Sequence, residues 1–164
     1  MDPASNPFAV MSLIVAPAIL TNACSVLAMS TSNRLARAVD RARELSKQLE
    51  ASVDEASLED QRRMDELTAA EERALLLVQA LRSLYAALAG FALAALVSLL
   101  GAILVPFLLG WTVSVLEIAA VVTGLLAVAA LIHGASLLVR ETRIAVQVLH
   151  DRAARVRARV PRIG

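Results

Sequence analysis

The hydrophobic and polar positions of the chain fall into long blocks. From Pro3 to Asn33 there is no ionisable group except Cys24. From Ser83 to Val139 there is one acid, Glu117, and one histidine, His133. A helix crossing a membrane needs about 20 apolar residues, because each adds ~1.5 Å and the hydrocarbon is ~30 Å thick. The first block therefore predicts one span, over residues 8–30, and the second predicts two, over 83–105 and 115–139. Pro106, Gly110 and Trp111 lie between those two. Pro106 has no amide proton and Gly110 tolerates positive φ, so a tight reversal is expected there, with Trp111 at headgroup level.

Residues 34–82 contain neither Gly nor Pro and are rich in Ala, Leu, Glu and Arg, which is helix composition. Apolar residues recur at Leu35, Val39, Ala42, Leu45, Leu49, Val53 and Ala56, a short coiled-coil-like stripe. Ser57-Leu58-Glu59-Asp60 reads as a break with a fresh N-cap. A second stripe, Leu67, Ala70, Ala74, Leu77, Val78 and Leu81, then runs without punctuation into the second span. A third, Ala145, Leu149, Ala153, Val156 and Val160, follows the last span. The fold class expected is all-α. Three transmembrane helices are predicted, the first two extended into a cytoplasmic antiparallel helical hairpin that packs with a C-terminal amphipathic helix. The corresponding segments are 1–33, 34–82, 83–139 and 140–164.

Composition supports a membrane protein. The 164 residues are 58% hydrophobic and 19% charged, with mean hydropathy +0.66; a soluble domain has ~45–50% and ~25%. One cysteine excludes a disulfide framework and a cysteine-built zinc site. The formal charge of +1 gives no argument for nucleic acid. There is no nucleotide loop, no nucleophile–base pair and no zinc-type spacing, so neither an enzyme, a cofactor nor a metal is expected.

Charge placement predicts orientation. Arg34, Arg37, Arg41, Arg43 and Lys47 follow the first span, and Arg140, Arg143, Arg152, Arg155, Arg157, Arg159 and Arg162 follow the third. The opposite span ends have no basic residue. Positive flanks stay inside, so the N-terminus is expected outside and the C-terminus inside. The first apolar run has no Lys or Arg before it, unlike a signal peptide. Leu20-Thr21-Asn22-Ala23-Cys24 is a poor imitation of a lipoprotein cleavage box, and Cys24 is expected to be a small buried thiol. Residues 50–72 hold nine acids and two bases, and residues 140–164 hold seven bases and two acids. The tail is therefore expected to lie along the acidic part of the hairpin, held by its stripe more than by its arginines.

Some residues are candidates for function. Pro17 should remove one helix hydrogen bond and bend the first span, whose inner half is polar: Thr21, Asn22, Ser25, Ser32 and Asn33. These fit either a pore-facing stripe or interhelical hydrogen bonding. Arg34, Arg37 and Arg41 share one helix face, with Asp40 on the neighbouring face. They fit either lipid-phosphate anchors or a cytoplasmic mouth. Glu117 and His133 are the intramembrane ionisable groups. Glu117 fits a capping box with Ser114, or ion contact; His133 fits a hydrogen bond to a neighbouring helix, or proton handling. Small residues recur every four positions at Ala86, Gly90, Ala94, Ser98 and Ala102, which reads as a helix-packing seam. Three helices cannot enclose a permeation path, so transport would need a homo-oligomer. The two functional expectations are a small ion-conducting pore lined by the first span, and a non-transporting scaffold or adaptor whose cytoplasmic bundle binds a partner. The partners expected are membrane lipids, further copies of the chain and an inorganic ion.

The segments Ala16-Pro17-Ala18-Ile19-Leu20 through Ala23-Cys24-Ser25-Val26-Leu27, and Asn33-Arg34-Leu35-Ala36-Arg37-Ala38-Val39-Asp40-Arg41-Ala42-Arg43-Glu44-Leu45, resemble the domain of unknown function 2721 family. That resemblance implies a small bacterial protein of the inner membrane. It implies no activity, and marks Pro17, Asn33, Arg34, Arg37, Asp40 and Arg41 as the positions of interest.

Overall fold

The computed structural model of the chain describes residues 7–51, 58–104 and 110–159. These form three helices: α1 (Pro7–Ala51), α2 (Leu58–Leu104) and α3 (Gly110–Arg159). No strand occurs among the described residues. Each helix contains a stretch long and apolar enough to cross a membrane. The helices have 45, 47 and 50 residues. At helical rise each is about 70 Å long, more than twice the hydrocarbon thickness. A helix of that length that crosses a bilayer must also extend beyond it.

The expected break near Ser57 and the reversal at Pro106 lie outside the described residues, but α2 starts at Leu58, one position after the expected cap. The start of α3 differs from expectation. It begins at Gly110, not near Val115, and no described glycine has positive φ. Ser114 is therefore inside the helix, where its hydroxyl donates back to the Gly110 carbonyl at 3.4 Å. The capping box with Glu117 does not form, because neither residue is at the helix end. α1 continues through Pro17, as the expected first span does.

The chain divides into two compact units, and every helix contributes to both. The apolar unit comprises residues 1–30 and 81–134. Its core is Cys24, Ala87, Phe91 and Ala127, with Leu20, Leu88, Ala130 and Leu131 packed against it. Cys24 is fully buried, as a small thiol in a span should be. Only one side chain of this core is large, so the helix backbones approach closely. That is how helices associate where lipid supplies no hydrophobic drive. The large apolar side chains point outward instead: Ile19, Val26, Leu93, Ile118, Leu125 and Leu126 are all exposed. In water such a surface would be a severe liability; against acyl chains it is the expected one.

The small residues expected to form a seam differ in burial. Gly90 is half-buried and Ala94 buried, Ser98 is half-buried, but Ala86 is exposed. Leu84, Ala87, Phe91 and Ala94 form the buried line. A strict four-residue step advances 400° per repeat and winds off a straight face, whereas alternating steps of three and four stay on it. The side chain of Ala102 lies outside the described set.

The charged unit comprises residues 31–80 and 135–164. Thr31, Ala38 and Leu45 of α1 are buried at heptad spacing, flanked by half-buried Leu35, Val39, Ala42 and Leu49. Ala70, Leu77 and Ala80 are buried on α2, and Leu137 and Glu141 on α3. The third stripe begins on this face, with Ala145 half-buried, and then leaves it. Leu149 is 67% exposed and Ala153 is exposed. Half-buried Ile144 and Val148 continue the line from Leu137 and Glu141. The cause is the same drift of a four-residue step.

Candidate functional site

Two groups of polar residues have distinctive geometry, one in each unit. In the apolar unit they lie on α1. Thr21 is half-buried, while Asn22 and Ser25 are exposed. The Ser25 hydroxyl donates to the Thr21 carbonyl at 3.0 Å, so its hydrogen is satisfied within the helix. Asn22 is different: among the described residues nothing hydrogen-bonds its amide. Pro17 is half-buried on the same helix. Glu117, the eighth residue of α3, is exposed and also has no partner among the described residues. His133 is exposed near the end of this unit.

The charged unit contains an ion-pair cluster that sequence reasoning missed. Glu141 is 2% exposed, yet it is an acid. Its Oε1 accepts from Nε and Nη2 of Arg73, at 3.0 and 2.7 Å. Its Oε2 accepts from Nη1 of Arg34 at 3.5 Å. One residue from each helix thus meets at a single buried carboxylate. The two arginines retain access to solvent, with side chains 48% exposed for Arg34 and 32% for Arg73. A second pair joins Nη2 of Arg41 to Oε2 of Glu66 at 3.2 Å.

Of the basic residues expected to act together, the structure gives each a different partner. Arg34 goes to Glu141 and Arg41 to Glu66. Arg37 donates through Nε to the Asn33 carbonyl at 3.3 Å. Asp40 is exposed and joins no ion pair among the described residues. Ser32 and Asn33 are exposed. A cleft of about 430 Å³ lies here, lined by Arg34, Arg37, Arg41, Arg73, Glu141 and Thr142 among others. Among the described residues no group of three His, Cys, Asp or Glu side chains could hold a metal ion.

A signal for Arg73 and Glu141 did exist. Glu141 stands four residues after Leu137 and three before Ile144 on the buried line of α3. Arg73 stands between Ala70 and Leu77 on that of α2. A charge at a stripe position must be paired, because burying it alone is prohibitive. An acid and a base at such positions on two helices are a pair to look for.

Comparison with known proteins adds a family and no activity. No curated protein and no solved structure matches the chain. Residues 14–150 match the family described as protein of unknown function (DUF2721). This covers most of the chain, including all three apolar stretches and the Arg34–Arg73–Glu141 cluster, and the chain belongs to that family.

Proposed function

We propose that the protein is a homo-oligomeric membrane protein of the bacterial inner membrane whose first span lines a small ion-conducting pore. The N-terminus is outside and the C-terminus inside. The charged unit projects into the cytoplasm as a helical hairpin joined by the end of α3. The observation that supports this most is the Asn22 side chain. It lies exposed between the exposed apolar side chains of Ile19 and Val26, one turn to either side, and no described residue satisfies its amide. In hydrocarbon an unsatisfied amide costs several kcal/mol. Water along an axis between subunits removes that cost, and Ser25 three positions on faces the same side of the helix. Glu117 makes a parallel demand on α3, since an exposed carboxylate in an apolar span also needs water or a partner. Arg34, Arg37 and Arg41 then stand at the inner mouth, with two of the three already matched by acids.

The test uses single cysteines and flux. The Asn22→Cys and Ser25→Cys variants are expected to react with a charged, water-soluble thiol reagent at least about tenfold faster than the Val26→Cys variant, because thiolates form in water and not in lipid. Purified protein in liposomes is expected to dissipate a salt gradient, and Asn22→Leu to slow that leak. If both polar positions react no faster than Val26→Cys and the liposomes stay tight, the pore is refuted. The alternative of a non-transporting scaffold or regulatory adaptor, whose cytoplasmic bundle binds a partner, then takes its place.

A further inference from the structure

We propose that the cleft formed by Arg34, Arg37, Arg41 and Arg73 binds a phosphate group, carried by an anionic phospholipid headgroup or by a soluble phosphate compound. The volume, about 430 Å³, lies within the ~300–1,000 Å³ usual for ligand sites. Four guanidinium groups line it. Among the described residues two carboxylates engage them, Glu141 with Arg34 and Arg73 and Glu66 with Arg41. Among these groups four cations against two anions leave two positive charges in excess, enough to balance the single charge of a phosphodiester headgroup or the roughly −1.5 to −2 of a phosphate monoester.

Arg37 is the residue with capacity to spare. It uses only Nε, toward the Asn33 carbonyl. Among the described residues no acid pairs with it. Its two terminal nitrogens are free to donate as a fork, the geometry that matches two phosphate oxygens. Glu141 does not spoil such a site. Its charge is already shared between two guanidinium groups, and its two short contacts hold Arg73 in position, so less order must be imposed on binding. The Thr142 hydroxyl donates to the Leu138 carbonyl at 2.9 Å, so its hydrogen is used elsewhere and recognition falls to the arginines.

Sequence position explains both sources of the anion. Arg34 is the first charge after the uncharged run of α1, and Glu141 is two residues beyond the uncharged run ending at Val139. If those runs cross the bilayer, the cleft is at the depth of headgroup phosphates. A soluble phosphate compound would enter from the aqueous side. This proposal does not depend on a pore.

The experiment compares the full-length protein with its Arg37→Gln variant, using Arg43→Gln, an exposed arginine on the same helix outside the cleft lining, as control. Retention of phosphatidylglycerol over phosphatidylcholine is read by native mass spectrometry, and binding of inorganic phosphate by calorimetry in detergent. Losing a two-point charged contact is expected to weaken binding about tenfold in Arg37→Gln, to leave Arg43→Gln within twofold of the parent, and to be partly restored in Arg37→Lys. A loss confined to the lipid arm identifies the headgroup as the source, and one confined to the phosphate arm a soluble ligand. If neither probe binds the parent, or Arg37→Gln matches Arg43→Gln in both arms, the proposal is overturned.

Discussion

Replacing Arg73 with methionine is expected to destabilise the charged unit by about 3 kcal/mol, more than either replacing Glu141 with glutamine or replacing Arg34 with glutamine. The order follows from burial. Glu141 is the enclosed member of the cluster, and Arg73 supplies its two shortest contacts. Without Arg73 the carboxylate stays buried with one contact of 3.5 Å, to a side chain nearly half exposed. Removing the charge of Glu141 instead releases two arginines that already reach water, so about 1–2 kcal/mol is expected for Glu141→Gln. Arg34→Gln should cost under about 1 kcal/mol, because an exposed cation at long range contributes little. The double variant Arg73→Met with Glu141→Met should recover much of the loss, since a buried pair replaced by apolar groups of similar size is often neutral. Thermal unfolding in detergent checks the ranking. A Glu141→Gln loss larger than that of Arg73→Met would contradict it, as would a double variant worse than Arg73→Met alone.

The second large effect is expected at Gly90. A Cβ built there would lie 2.8 Å from Ala127 Cβ and 3.4 Å from Ala127 Cα. Neither atom is the end of a flexible side chain, so α2 and α3 must separate locally. Alanine favours a helix over glycine by ~1 kcal/mol, but this gain opposes an overpacking cost of about 1–3 kcal/mol and the loss of close contact on which association in lipid depends. Gly90→Ala should therefore destabilise, and Gly90→Leu more so. Gly124 provides the control, because a Cβ there meets nothing within 4 Å. At Gly101 a Cβ would touch only Leu116 Cδ2 at an ordinary 3.6 Å. Both should accept alanine. Adding Ala127→Gly to Gly90→Ala exchanges the methyl group across the contact and should restore most of the stability. Unfolding by a denaturing detergent titrated into a mild one reads all five.

Helix type and the three apolar stretches were legible in the sequence because both depend on local composition. Length without Gly or Pro, and runs without charge, do not require knowledge of neighbours. Burial of Cys24 was legible for the same reason, since a lone small thiol in a span has few other roles. Helical phase was less so. The stripe through Leu149 and Ala153 and the ladder beginning at Ala86 were both read with four-residue steps, and both drift off the face that packs. Reading Pro106, Gly110 and Trp111 as one tight reversal puts the start of the third span near Val115, yet nothing from Gly110 to Val113 prevents a helix from starting earlier. Partner choice was least legible. Helical spacing puts Asp40 on the face next to its arginine neighbours, but Arg34 and Arg41 pair with acids 107 and 25 positions away. Such pairs depend on how three helices align, which one-helix periodicity does not specify.

Side-specific labelling of single cysteines tests the three-span arrangement most directly. Gln61 and Gln147 are exposed positions of the charged unit, Trp111 is exposed at the start of α3, and the buried Cys24 of the parent protein serves as an unreactive control. With a membrane-impermeant maleimide applied to spheroplasts, the predicted result is that only the Trp111→Cys variant is labelled, and that Gln61→Cys and Gln147→Cys react only after lysis. Labelling of Gln61→Cys in unbroken spheroplasts, on the same side as Trp111→Cys, would contradict the arrangement.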